Sequence, residues 1–290
     1  ELVDRLRRGI LFDGPQGTMV GAATKKDWET PEELNLREPD RVRDMHRAYV
    51  DAGAEVITTN SFGGNRIRLT RAGLADQLEA FNRSAAVLAR EVAANLLVAG
   101  DIGPSGEFLE PLGDHLYSEF VDAFAEQSRA LADGGVDFLL IETMSDLGEL
   151  TLAIQAAKAV SDLPVVATMT FDKGPRGFFT MMGVTPAAAA GKLSDAGADI
   201  VGSNCGIAIE DMIPIIRQMR SATDKPILTH VNAGIPKIEG GKIVYPDTPG
   251  HMAELMPGLV EAGANIIGGC CGTGPDHVRS FVQTLRRAER

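Results

Sequence analysis

Cysteine is scarce in this chain of 290 residues: there are three. Three thiols cannot all pair, and two of them, Cys270 and Cys271, are adjacent, where a disulfide would close a strained ring. A disulfide-built scaffold is excluded, and a reducing compartment is expected. Basic charge is also short. Against 40 Asp and Glu stand 28 Lys and Arg, a net charge of −12, which argues against a nucleic-acid partner, since that would call for a basic face. No apolar run reaches the roughly 18 residues of a membrane-spanning helix, and no signal-peptide pattern is present. A cytoplasmic protein that binds no membrane is expected. No GxGxxG follows the first strand-like run, which removes the main support for a dinucleotide fold. The cysteines also lack the two CxxC-type pairs of a zinc finger. Residue 1 is Glu rather than Met, so a piece trimmed from a longer protein is expected.

What the chain does have is a repeated phrase. Asp51-Ala52-Gly53-Ala54 precedes the apolar run Glu55 to Asn60. Asp133-Gly134-Gly135-Val136 precedes Asp137 to Ile141, Asp195-Ala196-Gly197-Ala198 precedes Asp199 to Val201, and Glu261-Ala262-Gly263-Ala264 precedes Asn265 to Ile267. In each, a glycine can end a helix in the left-handed conformation, and a short turn then feeds a buried strand. Ile10-Leu11-Phe12, Leu96 to Asp101, Pro164 to Thr170 and Pro226 to Asn232 supply four more strands. The spacing predicts helices over about 75–94, 147–160 and 212–221, and one opening at Pro39-Asp40 with Val42, Met45, His46 and Tyr49 on one face. Pro31 to Leu36 reads as a connection. Eight near-continuous apolar strands alternating with helices predict a closed TIM (β/α)8 barrel, a single domain over residues 1–290.

A barrel's site is built from the loops that follow its strands. The strand ends, in order, are Asp13, Asn60, Asp101, Glu142, Thr170, Cys205, Asn232 and Cys270-Cys271. Every cysteine is among them. Cys205 follows the sixth strand and the pair follows the eighth, so the thiols converge on one rim of the mouth. Three thiolates suit a zinc ion with one open position. Three thiolates already leave such a site with a charge of about −1, the wrong electronics for acidifying water but the right ones for holding a fourth sulfur as thiolate. The ligand type therefore points to thiol alkylation. His230 lies two residues before Asn232 on the same side of its strand, and a core or supporting role is expected for it.

Beyond these readings, the chain resembles the homocysteine S-methyltransferase family, in particular the homocysteine-binding domain of cobalamin-dependent methionine synthase. The resemblance rests on Asp13-Gly14 with Gly17-Thr18, Glu33 to Leu36, Thr59-Asn60 with Phe62-Gly63, Gly100 to Pro104, Glu142-Thr143, Asn204-Cys205, Asn232 to Gly234 and Gly268 to Thr273. It implies that Cys205, Cys270 and Cys271 hold Zn2+, with Asn232 a candidate fourth ligand. It implies that Asp13 and Glu142 take the amino group of homocysteine. Gly14, Gln16, Gly17 and Thr18, in the first loop, would meet the carboxylate, and Asn60 joins them as a substrate-binding candidate. Gly272-Thr273 and the Gly100 to Pro104 run resemble the corrinoid-linked branch, which implies methylcobalamin on a partner protein or domain as methyl donor.

Two features depart from the family pattern. Pro15-Gln16 fills the middle of the first loop; proline removes one backbone donor, and Gln16 adds a side-chain amide. The segment Arg176 to Gly183, after the fifth strand, is long and apolar, fit to shape a different pocket or to dock a corrinoid partner. The expected function is zinc-dependent methylation of homocysteine to methionine. The alternatives are a corrinoid-linked methyltransferase with another methylated substrate or thiol acceptor, and a zinc-binding regulatory or storage protein.

Overall fold

The computed structural model describes residues 2–7, 9–17, 19 and 30–288. Eight parallel strands form the ring: β1 Ile10–Leu11, β2 Val56–Thr58, β3 Leu97–Ile102, β4 Phe138–Met144, β5 Val165–Met169, β6 Ile200–Asn204, β7 Ile227–Val231 and β8 Ile266–Gly269. Neighbours follow the order β1-β8-β7-β6-β5-β4-β3-β2. The ring closes between β1 and β2 by a single bridge, Phe12 with Val56. At that seam Glu55 N–H donates to Leu11 O at 2.8 Å and Asp13 N–H to Val56 O at 3.2 Å. The TIM barrel expected from the alternation is the observed architecture.

The strands are apolar on both faces because each face meets a different core. Ile10, Phe12, Val56, Leu97, Ala99, Phe138, Leu140, Val166, Ile200, Leu228 and Ile266 fill the barrel interior. Leu6, from the helix Leu2–Arg7, packs with them and plugs the N-terminal end. The alternate residues, among them Val98, Leu139, Ile141, Val165 and Val201, pack outward against the helices. Both sets are dry, which is why the strands read as unbroken apolar runs.

The four repeated turns are built as their sequences demand. Gly53, Gly135, Gly197 and Gly263 have φ of 100°, 92°, 100° and 109°, where an L side chain would be strained. The helix Pro39–Ala52 buries Val42, Met45, His46 and Tyr49 on one face, and Leu147–Val160 has the expected bounds. Three expectations shift. Pro31 to Leu36 is a 3-10 turn Pro31–Glu33 leading into the helix Leu34–Arg37, started by Pro31 and fixed by burial of Leu34 and Asn35. The helix expected from about Ala75 is a 3-10 turn Ala75–Gln77 followed by Leu78–Ala93. The helix expected from Met212 begins a turn earlier and covers Ile209–Arg220, with Glu210 and Asp211 suited to its positive end.

Two antiparallel hairpins extend the mouth. Asp172–Gly174 pairs with Gly177–Phe179 after β5, so the long segment there is partly ordered by its own ladder. Lys237–Glu239 pairs with Lys242–Val244 after β7, through Gly240 and Gly241, whose φ values of 57° and 77° form a two-residue hairpin turn. Among the described residues no helix is long and apolar enough to cross a membrane.

Candidate active site

The period-2 alternation that fills the barrel changes chemistry at its C-terminal end. Leu97 and Ala99 point inward, so Asp101 does too. The same count places Thr58 after Val56, Glu142 after Leu140, Thr168 after Val166, Asn204 after Ile200 and His230 after Leu228 on the interior face. An apolar plug is thus roofed by a ring of polar side chains.

The three thiols sit on this ring's edge, held by backbone bonds to β7. Cys205 N–H donates to His230 O at 3.1 Å, Cys270 N–H to Val231 O at 2.8 Å, and Ala233 N–H to Cys271 O at 2.9 Å. Cys205 Sγ lies 3.7 Å from Cys271 Sγ, and the three sulfurs lie within 4.8 Å of one another. Two metal–sulfur bonds of about 2.3 Å at a tetrahedral angle span about 3.8 Å, so the observed spacing fits a zinc ion. Asn232 is 3% exposed and its Oδ1 has no hydrogen-bond partner, an orphaned oxygen in keeping with a fourth ligand. Cys271 is held well below the ordinary thiol range because Cys205, and then Cys270, donate S–H bonds to it. Cys270 is pushed up by the same sharing with Cys205 and Cys271 and by burial. All three thiols are free.

The local backbone is built around this geometry. Cys205 and Thr143 hold φ of 62° and 63°, positions unfavourable for non-glycine residues and typical of functional sites. Asn204 braces both. Its Oδ1 accepts from Thr143 N–H at 2.8 Å and from Thr168 Oγ1 at 2.7 Å, and its Nδ2 donates to Thr143 Oγ1 at 2.7 Å. Gly272 follows the cysteine pair because the Tyr245 ring lies over it: a Cβ there would be 2.1 Å from Tyr245 Cγ.

The substrate candidates divide. Asp13 is buried, accepting from Thr58 N–H at 2.8 Å, Thr58 Oγ1 at 2.7 Å and Gln16 Nε2 at 3.0 Å. Burial pushes its carboxyl up to about 8 against the Thr58 hydrogen bonds, with Glu142 adding to the rise. Glu142 Oε2 lies 3.3 Å from His230 Nδ1. His230 packs on Phe12, ring centroids 4.9 Å apart, in space that Gly268 leaves open. Gly14 is pressed against Tyr49, whose Oη would be 2.7 Å from a Cβ there. Gln16 turns inward to Asp13 and to Gly14 O, and Gly17 is exposed. Thr18 lies outside the described residues. Asn60 spends its Nδ2 on Pro31 O at 2.9 Å and Asn35 Oδ1 at 3.0 Å, bracing the loop after β2.

Asp101 was counted at a strand end but assigned no part in the site; alternation along β3 alone would have aimed it inward. Burial, then the charges of Glu142, Glu32 and Asp13, push its carboxyl well above the usual range. Tyr245 carried no sequence signal, since its place depends on the hairpin before it.

Comparison with known proteins gives the family and the fold. The sequence profile of the family described as homocysteine S-methyltransferase matches residues 10–285. Methionine synthase of Mycobacterium tuberculosis (strain ATCC 25618 / H37Rv) is 32% identical over 313 residues, covering 100% of this chain and 26% of that protein. Methionine synthase of Mycobacterium leprae (strain TN) is 31% identical over 307 residues, covering 99% of this chain and 25% of that protein. The chain spans about a quarter of the length of these curated relatives. The metallated form of the homocysteine methyltransferase MmuM from Escherichia coli superposes with a TM-score of 0.79 at 23% identity, covering 98% of both chains. The carboxyl transferase domain of Rhizobium etli pyruvate carboxylase with pyruvate follows at 0.54 and 15% identity, over 98% of this chain and 49% of that one. These two likenesses show the barrel.

Proposed function

The chain belongs to the homocysteine S-methyltransferase family, and from that premise we propose that this methyltransferase converts homocysteine to methionine at a zinc centre of Cys205, Cys270 and Cys271. The observation that carries the reading is the set of three sulfurs within 4.8 Å of one another on the rim of a mouth that also holds buried carboxyl groups. Zinc bound there would hold a substrate thiol as its thiolate at neutral pH. Asn232 Oδ1 is the ligand that a substrate sulfur would replace.

The remaining work falls to the chain's own groups. Glu142 and Asp13 receive the substrate's ammonium group, and the first loop offers backbone N–H groups to its carboxylate. His230 holds Glu142 in place, and Asn204 fixes the strained turns at Thr143 and Cys205. With the amino acid clamped on one side of the mouth, its sulfur faces outward, so the methyl donor must come from the open end. We take the chain as one domain and the donor as methylcobalamin carried by a separate protein or domain. Support comes from the resemblance of Gly272-Thr273 and the Gly100 to Pro104 run to the corrinoid-linked branch. The exposed apolar side chains Met181, Met182, Ile238 and Ile243 on loops after β5 and β7 suit a macromolecular donor.

A second reading, a corrinoid-linked methyltransferase with another thiol or methylated substrate, is favoured by Gln16, which occupies part of Asp13. Calorimetric titration of the zinc-loaded protein with L-homocysteine, in two buffers of different ionisation enthalpy, separates the two. Saturable binding with net proton release is expected for homocysteine. Absence of binding by protein of verified zinc content would sink homocysteine as substrate and leave the second reading.

A further inference from the structure

Asp101 is a buried carboxyl group that the fold satisfies only in part, through the Ile102 backbone N–H. It is 4% exposed, it shares the interior face of β3 with Leu97 and Ala99, and its Oδ1 has no hydrogen-bond partner. The charges acting on it are those of other carboxylates, Glu142, Glu32 and Asp13, and among the described residues no basic side chain forms an ion pair with it. A buried polar atom normally finds a partner, and a buried acid among acids lowers stability unless something positive arrives. Arrangements of this kind persist where a ligand completes them.

The other two carboxyl groups are already engaged. A carboxylate offers about four acceptor positions. Asp13 fills three with Thr58 N–H, Thr58 Oγ1 and Gln16 Nε2. Glu142 gives Oε2 to His230. An ammonium group has three N–H donors to place. We propose that Asp101 is a third anchor of the substrate's ammonium group, acting beside Glu142 and Asp13, and that it takes the donor which those two partly engaged carboxyl groups leave unplaced. Asp101 then selects α-amino thiols over thiols of the same length that lack the amino group. The inference rests on the homocysteine reading and goes beyond it by naming a third residue that reads the amino group.

The test compares L-homocysteine with 4-mercaptobutanoate, the same thiol acid without its amino group, by calorimetry on zinc-loaded wild type, Asp101→Asn and Asp101→Ser. Asp101→Asn should weaken homocysteine about tenfold or more while moving 4-mercaptobutanoate by less than about twofold, because a charged hydrogen bond is lost with one ligand and not the other. Zinc content should be unchanged, and the melting temperature of the ligand-free variants should hold or rise. A structural role would lower it. Equal weakening of both ligands, unchanged homocysteine affinity, or a variant that loses stability or fails to fold would each overturn the proposal. Wild-type protein that binds the two thiols equally would overturn instead the reading that any carboxylate here receives an amino group.

Discussion

Replacing Asp13 with asparagine should remove a pH dependence of stability that the wild-type barrel carries. Asp13 is fully buried, and its carboxyl is raised from 3.8 to about 8. Below the lower value, folded and unfolded chains both hold the proton. Between the two values the unfolded chain loses it and the folded chain keeps it, so stability falls as pH rises, at about 1.4 kcal/mol per unit. Between pH 5 and pH 7 this amounts to about 2.7 kcal/mol, about 4 °C in melting temperature for a chain of this size. Above about pH 8 both states are ionised and the loss levels off. Asparagine can keep the local network. Its carbonyl accepts from Thr58 N–H and Gln16 Nε2, and its Nδ2 donates to Thr58 Oγ1, whose hydroxyl turns to accept. Melting curves of metal-free, ligand-free wild type and Asp13→Asn from pH 5 to pH 8 give the difference directly, because Asp101, Glu32 and Glu149 titrate in both proteins. The advantage of Asp13→Asn over wild type should already be about 1.7 kcal/mol at pH 5 and should widen toward pH 8. Parallel curves would refute the reasoning, since they would mean that Asp13 ionises as easily in the folded chain as in the unfolded one.

Other perturbations follow from the same geometry. Cys205→Ser and Cys271→Ser should each abolish stoichiometric zinc in metal analysis of the purified protein; retained zinc in either would sink the metal assignment. Asn204→Ala removes three buried hydrogen bonds to Thr143 and Thr168 and should cost about 3 kcal/mol in denaturant unfolding, with Asn204→Asp milder because the threonine hydroxyls can turn to donate. Gly268→Ala places a Cβ 2.6 Å from the His230 ring and 2.7 Å from Phe12 Cβ. It should cost about 1–3 kcal/mol and weaken homocysteine binding through displacement of His230 from Glu142.

What could be read in the sequence was whatever has a local cause. A glycine after a helix and before an apolar run is such a cause, and four of them gave the barrel. Three thiols at strand ends gave the rim on which they meet. The misses depended on partners far along the chain. Pro31 to Glu33 looks like a linker until Leu34 and Asn35 are seen buried, with Asn35 donating to Asn60 O and Phe81 O. Glu142 could be placed at a strand end, but its contact with His230 is 88 residues away and depends on Gly268 leaving space. The hairpin after β7 had a usable local signal, Gly240-Gly241 between Lys237-Ile238-Glu239 and Lys242-Ile243-Val244. Tyr245, which that hairpin delivers onto Gly272, had none.

The closure of the ring has a mechanical consequence. Between β1 and β2 the ladder is one bridge long, whereas β5 and β6, diametrically opposite, share four register pairs from Val166 to Met169 and a side-chain clamp from Asn204 to Thr168. The barrel is therefore a split ring, compliant at its gap and stiff across from it. Asp13 and the first loop stand at the gap, and Cys205 at the stiff side. Asp13 O also accepts from Gly269 N–H at 3.0 Å, one residue before the cysteine pair. The first loop is thus tied by a backbone bond to the strand end that carries Cys270 and Cys271, so the seam of the ring and the thiol pair share one support.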